Sequence, residues 1–453
     1  MFPVAEVNIT NFRGIREARL HLDPRVTVFF GSNAGGKSTI LDALAIALGP
    51  LVGRVPGAKG RTFARSGDIR VPWLDRDEVD EKAGVEASHA LLAVHCVNGL
   101  GWDVARYRGP QARREARPIG QNELRSWIDS LVKNSQEIRP GDVGPVLPLV
   151  AAFGNERAGV EIPQRKRNFS QDTSRFKALD EALSATTRFK AVFEWFHMME
   201  NEENRQIARR QDLGYRLPAL QWVRKAVEAA ELRCSNPRIE IGPIRMMVDF
   251  HHADGGMQTL DIRQLSDGYR THFALVVDLA RRMVQLNPSP DVTDPDRGTS
   301  TPAVVLIDEV DLHLDPVWQS RVVSGLLSAF PRTQFVLSTH SEQVIGSVTA
   351  DQVRRLRWQD GEIIVEPVAF AQGATGERIL VDLMGAWERV PGPVTADLRR
   401  YVDLVDRGDG QSDQANALRR ALEAAIPADA ALTRADLVMQ RQALMAKLSG
   451  DRG

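Results

Sequence analysis

The run Gly31-Ser32-Asn33-Ala34-Gly35-Gly36-Lys37-Ser38, followed by Thr39, has the spacing GxxxxGK[ST]. Small residues let successive backbone N–H groups curl around phosphate oxygens, and a helix starting at the lysine adds the partial positive charge of its N-terminus. Lys37 then reaches the β- and γ-phosphates of a nucleoside triphosphate, while the Ser38 hydroxyl can ligate magnesium. A second run, Ala303-Val304-Val305-Leu306-Ile307-Asp308-Glu309, places two carboxylates at the end of an apolar stretch. Asp308 can hold the magnesium shell there, and Glu309 can polarise an attacking water. A third stretch ends in Ser338-Thr339-His340, where His340 is a candidate contact to the γ-phosphate or the water. Together these residue types point to phosphoanhydride hydrolysis, with Glu309 and His340 as catalytic candidates.

Such groups converge only if short buried strands carry them. Val26 to Phe30 is almost entirely apolar, and Ile40, Ala43, Leu44 and Ala47 recur at helical spacing, so the glycine-rich loop is predicted between a strand and a helix. Upstream, alternation in Val7-Asn8-Ile9-Thr10 and in Ala18 to Leu22, broken at Gly14, predicts a hairpin. Ala303–Ile307 and Phe335–Leu337 read as buried strands, 317–329 as a helix between them, and Asp360-Gly361 as the turn of a second hairpin. The Pro/Ser/Asp-rich segment 287–301 reads as an exposed loop. The expected organisation is an N-terminal lobe at 1–100, a mostly helical insertion at 101–260, a C-terminal lobe at 261–370 and a helical appendage at 371–453. Within the appendage, Ile379, Leu383, Leu437 and Leu444 recur at helical spacing and require a packing surface, on this chain or on a protein partner.

Leu265-Ser266-Asp267-Gly268-Tyr269-Arg270 opens a further apolar-faced helix carrying Phe273, Val276, Val277, Ala280 and Val284. It resembles the signature LSGGQ of ABC-type ATPases, with Asp267 and Tyr269 standing for Gly and Gln. Asn11-Phe12-Arg13-Gly14-Ile15 resembles the opening of SMC- and RecF-like proteins. With the DEVDLHLDP run and STHSEQV, the set resembles the stand-alone bacterial AAA-type ATPases that include PtuA of the Septu anti-phage systems and the retron-associated ATPases. The resemblance covers roughly residues 1–50 and 260–345. It implies an α/β, ABC-type P-loop ATPase fold with an antiparallel β subdomain, and ATP with Mg2+ at the site. It further implies a homodimer or higher homo-oligomer in which Ser266 and Gly268 meet the γ-phosphate held by the other subunit. Leu312-His313-Leu314-Asp315 resembles the loop that touches that subunit. A separate effector, such as an HNH nuclease, is the implied partner.

Bulk properties narrow the alternatives. Lys plus Arg number 58 against 59 Asp plus Glu, so net charge −1 gives no general attraction to nucleic acid or to a membrane surface. Any nucleic-acid partner must meet a local patch, for which Arg106, Arg108, Arg113, Arg114 and Arg117 with Arg165, Lys166 and Arg167 are candidates; solvated, salt-bridged surface is the favoured reading of them. The two cysteines, Cys96 and Cys234, have no metal-ligand spacing, and no leader or apolar run long enough to span a membrane is present, as expected of a cytoplasmic protein. A DNA-repair ATPase of the RecF type is the alternative function; it would bring sustained heptads or a broad basic face, and neither is seen.

Overall fold

The computed structural model describes residues 3–71, 85–116, 118–137, 144–155, 174–184, 189–241, 244–294, 297–387 and 389–450. Arg117, Arg165, Lys166 and Arg167 lie outside them. The chain divides into two compact units, 1–379 and 380–453.

Three sheets build the larger unit. The central one joins β3 (Val26–Gly31), β6 (Leu149–Phe153), β10 (Ala303–Ile307), β11 (Thr333–Thr339), β12 (Val353–Gln359) and β13 (Glu362–Pro367) in the order β13-β12-β3-β11-β10-β6. All neighbours are parallel except the β12–β13 hairpin. β10 and β11 are buried along their whole length, as parallel strands covered on both faces must be, which explains the unbroken apolar run of β10 and the apolar centre Phe335–Leu337 of β11. A four-stranded antiparallel sheet, β2-β1-β4-β5, combines the predicted N-terminal hairpin β1 (Val4–Phe12) and β2 (Ile15–His21) with β4 (His89–Cys96) and β5 (Gly101–Tyr107). β2 alternates buried and exposed residues and so has one solvated face. The third sheet is the meander β7 (Cys234–Ile241), β8 (Ile244–His251) and β9 (Met257–Asp261).

The helices of this unit begin with α1 (Lys37–Ala47) after β3, then α2 (Gly49–Gly53), α3 (Ala112–Ala116) and α4 (Asn122–Gln136). α5 (Phe189–Arg210) and α6 (Pro218–Ala229) precede the meander, and α7 (Asp267–Leu286) follows it. α7 is buried on nearly every side, including the ionic residues Asp278, Arg281 and Arg282. Arg281 and Arg282 both bond the Asp278 carboxylate, and Arg282 also donates to the carbonyls of Ala178 and Asp180. Burial alone would raise the Asp278 carboxyl, but Arg282 and Arg281 outweigh it and hold it below the ordinary carboxylate range.

Four expectations are modified. The stretch 101–260 is not purely an insertion: it supplies β6, the edge of the central sheet, and the whole β7–β9 meander. The helix expected at 317–329 is two, α8 (Pro316–Gln319) and α9 (Val322–Ala329). Asp315 caps α8 through the N–H groups of Val317 and Trp318, and the break after it lets α9 bring Gly325 against the Ala230 carbonyl, where a side chain would collide. The segment 287–301 is exposed only in its middle, for Asn287, Thr299 and Thr301 at its ends are buried. Asn287 bonds both backbone groups of Leu147 through its amide and reaches Thr301 Oγ1. After α10 (Glu342–Gly346), Ile379 and Leu383, which recur at helical spacing, lie not in a regular helix but in a π turn at Ile379–Leu383 that follows the single turn α11 (Gly376–Arg378).

The second unit holds α12 (Pro393–Asp406), α13 (Asp413–Ala425) and α14 (Ala430–Gly450) around a small core of Leu398, Tyr401, Val405, Ala415, Leu422, Leu432 and Ala435. Arg389 bridges to both oxygens of Asp429. Leu437 and Leu444, predicted to need a packing surface, are exposed, as are Trp387 and Met445. Among the described residues no helix is long and apolar enough to cross a membrane. Cys96 and Cys234 are buried thiols, pushed up by burial to about 11 and about 12, which leaves them inert.

Candidate functional site

The glycine-rich loop lies between β3 and α1, as its spacing predicts. Ala34 and Gly36 take left-handed backbone conformations (φ 61° and 97°), and Gly35 N–H closes a turn on Ser32 O at 3.0 Å. Gly31 has no room for a side chain, because a Cβ there would strike the Leu356 carbonyl of β12. α1 has neither a side-chain cap nor an acidic residue in its first turn, so its leading N–H groups remain open to an anion. Lys37 is 93% buried, since only 7% of it is exposed, and its Nζ donates to Gly31 O at 2.9 Å and Ser32 O at 3.0 Å. Burial draws its ammonium below the ordinary lysine range, partly offset by Asp308, Glu309 and Asp311.

The carboxylates meet the loop across the sheet. Ser38 Oγ donates to Asp308 Oδ2 at 2.9 Å, and the other Asp308 oxygen accepts from Ser338 Oγ at the end of β11. Ser338 Oγ in turn accepts from the Glu309 N–H at 2.8 Å. Glu309 is held at φ 48°, a conformation few non-glycine residues adopt, where the chain turns sharply off β10. Asp311 accepts from Thr339 Oγ1 at 2.6 Å and from the His340 N–H at 3.4 Å, which ties the β11 end to the β10 end. Thus Ser38, Asp308, Glu309 and His340 share one edge of the site. Ser338 and Asp311 join them although their individual roles were not read from the sequence; the available signal was their position beside the strand ends.

Magnesium needs few protein ligands when phosphates supply the rest. A paired Ser38 hydroxyl and Asp308 carboxylate fit that demand, and among the described residues no group of three or more His, Cys, Asp or Glu could hold a metal alone.

Among the described residues, no hydrogen bond joins Ser266 or Gly268 to this loop. Ser266 begins α7 without capping it and is exposed. Gly268 packs so closely on the 312–315 turn that a Cβ would collide with the His313 carbonyl. Tyr269 lies edge-on between Phe250 and Trp318, with ring centroids 5.4 and 5.0 Å away. Its departure from the ABC-type glutamine therefore has a packing role that joins the meander to α8. At the other end of the molecule's first hairpin, Arg13 bonds Asp42 of α1 at 2.7 Å and Asp68 at 2.9 Å, so the Asn11–Gly14 turn braces the helix behind the loop. Of the arginines considered for nucleic acid, Arg106 and Arg108 bond the carbonyls of Arg65 and Glu86.

The chain is 34% identical over 439 residues to the "Retron Vc95 probable ATPase" of Vibrio cholerae serotype O1 biovar El Tor, covering 85% of this chain and 80% of that one. It is 26% identical over 478 residues to the "Retron Ec83 probable ATPase" of Escherichia coli, covering 92% and 82%. A local match, 41% over 80 residues, links it to the Septu protein PtuA of Bacillus mycoides (strain KBAB4), over 18% of this chain and 10% of that one. With these relatives and a family-model match across residues 26–346, the chain belongs to the AAA_21 family, described as "AAA domain, putative AbiEii toxin, Type IV TA system".

Proposed function

We propose that this chain binds ATP with Mg2+ and hydrolyses it to ADP and phosphate as the ATPase of an anti-phage defence system. The carrying observation is the hydrogen-bond chain Ser38–Asp308–Ser338–Glu309, which draws the phosphate loop, the carboxylates after β10 and the end of the neighbouring β11 to one edge. The loop N–H groups from Ser32 to Thr39 and Lys37 cradle the triphosphate. Ser38 and Asp308 hold the magnesium ion, which when bound neutralises charge on the phosphates. Glu309 orients a water against the γ-phosphorus and takes its proton as the new P–O bond forms and the bond to the leaving ADP oxygen breaks. His340, kept in place through Asp311, contacts the transferred phosphoryl group.

In the same reading two copies close over nucleotide, with Ser266 and Gly268 of each facing the γ-phosphate on the other. The retron and Septu names of the relatives support the defence role; a separate effector such as an HNH nuclease, and a cytoplasmic location, belong to the same proposal. The unit 380–453 contains none of these site residues and offers exposed Trp387, Leu437 and Leu444 as the platform for that effector.

Two substitutions test the site. Lys37→Ala removes nucleotide binding, because no other loop side chain supplies a cation. Glu309→Gln keeps binding but slows turnover by about 10²- to 10⁴-fold, the usual worth of a general base. Calorimetric binding and phosphate release measure both; full turnover in Glu309→Gln would overturn the role of that carboxylate.

A further inference from the structure

The sheet order gives a bound nucleotide a direction. β3, which leads into the phosphate loop, has β11 and β10 on one side and β12 and β13 on the other. The groups suited to the γ-phosphate end, Asp308, Glu309, Ser338 and His340, all lie at the C-terminal ends of β10 and β11. A triphosphate with its terminal end on that side must lead its ribose and base toward β12 and β13.

The β12–β13 hairpin is pressed against the loop on that side. Ile363 Cδ1 lies 2.5 Å from where a Cβ of Gly36 would be and 3.0 Å from that of Gly14, so both glycines make room for it. Its cross-strand partner is Trp358, whose ring edge comes within 2.8 Å of the Gly14 Cβ position. Ile363 is buried, but Trp358 is 48% exposed. Beside it, Glu362 accepts a hydrogen bond from Arg70 at 2.9 Å, which anchors the start of β13. A large aromatic ring left half in water, paired with the residue that packs on Gly36 of the phosphate loop, is suited to stack on a planar ligand.

We propose that Trp358 is the stacking platform for the purine base of the nucleotide. This rests on the phosphate-loop reading and adds to it the residue that distinguishes a nucleotide from bare polyphosphate. The base lies on the indole face, while Ile363 sets the distance between the base platform and the loop glycines. Specificity for a base then resides on the C-terminal hairpin, far in sequence from the loop that holds the phosphates.

The test compares MgATP with magnesium tripolyphosphate on the full chain, using wild type, Trp358→Ala and Trp358→Phe. Base–aromatic stacking is worth about 1–3 kcal/mol, or about 5- to 150-fold in affinity. Trp358→Ala therefore weakens MgATP binding by at least about fivefold and leaves tripolyphosphate binding unchanged, and Trp358→Phe restores most of the loss. MgATP, but not tripolyphosphate, changes the tryptophan fluorescence of wild type, and that change disappears in the soluble Phe variant. Equal weakening of both ligands, or undiminished MgATP binding with an unchanged fluorescence response in Trp358→Phe, overturns the platform while leaving the phosphate loop standing. Failure of wild type to bind either ligand overturns the loop reading and the platform together.

Discussion

Helix α7 contains the same four-residue spacing twice, Asp267-Gly-Tyr-Arg270 at its start and Asp278-Leu-Ala-Arg281 in its middle. Both pairs bond across one turn, at 2.5 and 2.6 Å. The first aspartate side chain is 68% exposed and the second 1%. Water screens the first pair and can replace it; nothing can replace the second. Identical local chemistry thus gives an adjustable ion pair at the end proposed to meet another subunit and a fixed anchor in the core.

The largest effect is expected at the anchor. Asp278→Asn leaves Arg281 and Arg282 buried without their counter-charge, a loss of about 3–5 kcal/mol that thermal or urea unfolding would register. The pH dependence sharpens the point. Because the Asp278 carboxyl is held low by its arginines, its stabilisation is complete above the unfolded aspartate value of about 4 and lost as pH falls through the lower folded value. The Asn variant should therefore show a shallower loss of stability in acid; an unchanged acid slope with a small ΔΔG would make the two pairs equivalent.

An intermediate effect belongs to Gly268→Ala, where the new methyl group meets the His313 carbonyl. Overpacking of this kind costs about 1–3 kcal/mol, and here it also displaces the 312–315 turn. Urea unfolding should show that loss, with ATP turnover falling more than nucleotide affinity. A variant with wild-type stability and turnover would show that the start of α7 tolerates displacement. The smallest effect is predicted for Asp267→Asn, below about 1 kcal/mol and diminishing with salt, as for other exposed pairs. A loss equal to that of Asp278→Asn, insensitive to salt, would erase the contrast.

The sequence alone could reveal neither which Asp–Arg pair is buried nor how deeply, because the second arginine on Asp278, Arg282, is itself held by the carbonyls of Ala178 and Asp180, about a hundred positions away. The same distinction separates what was legible in the site from what was not. The phosphate loop, the β10 carboxylates and the turn at Asp360-Gly361 are written in contiguous residues, and each took the predicted position at a strand end or between strands. β6 was missed as a core strand because its five residues acquire meaning only by pairing with β10, more than a hundred residues later. Ser338 and Asp311 were passed over for the same reason: their value lies in hydrogen bonds between neighbouring strand ends. Tyr269 looked like a departure from a motif until Phe250 and Trp318 were found on either side of it.

Asn287 carries a practical consequence. Its amide fastens the end of α7 to Leu147 and Thr301, so both margins of the 287–301 segment are secured independently of what lies between them. The exposed stretch around Ser289 to Thr293 is therefore a natural splice point: an added reporter domain there would lengthen a loop whose closure is already enforced, at a cost that grows only with the logarithm of its length.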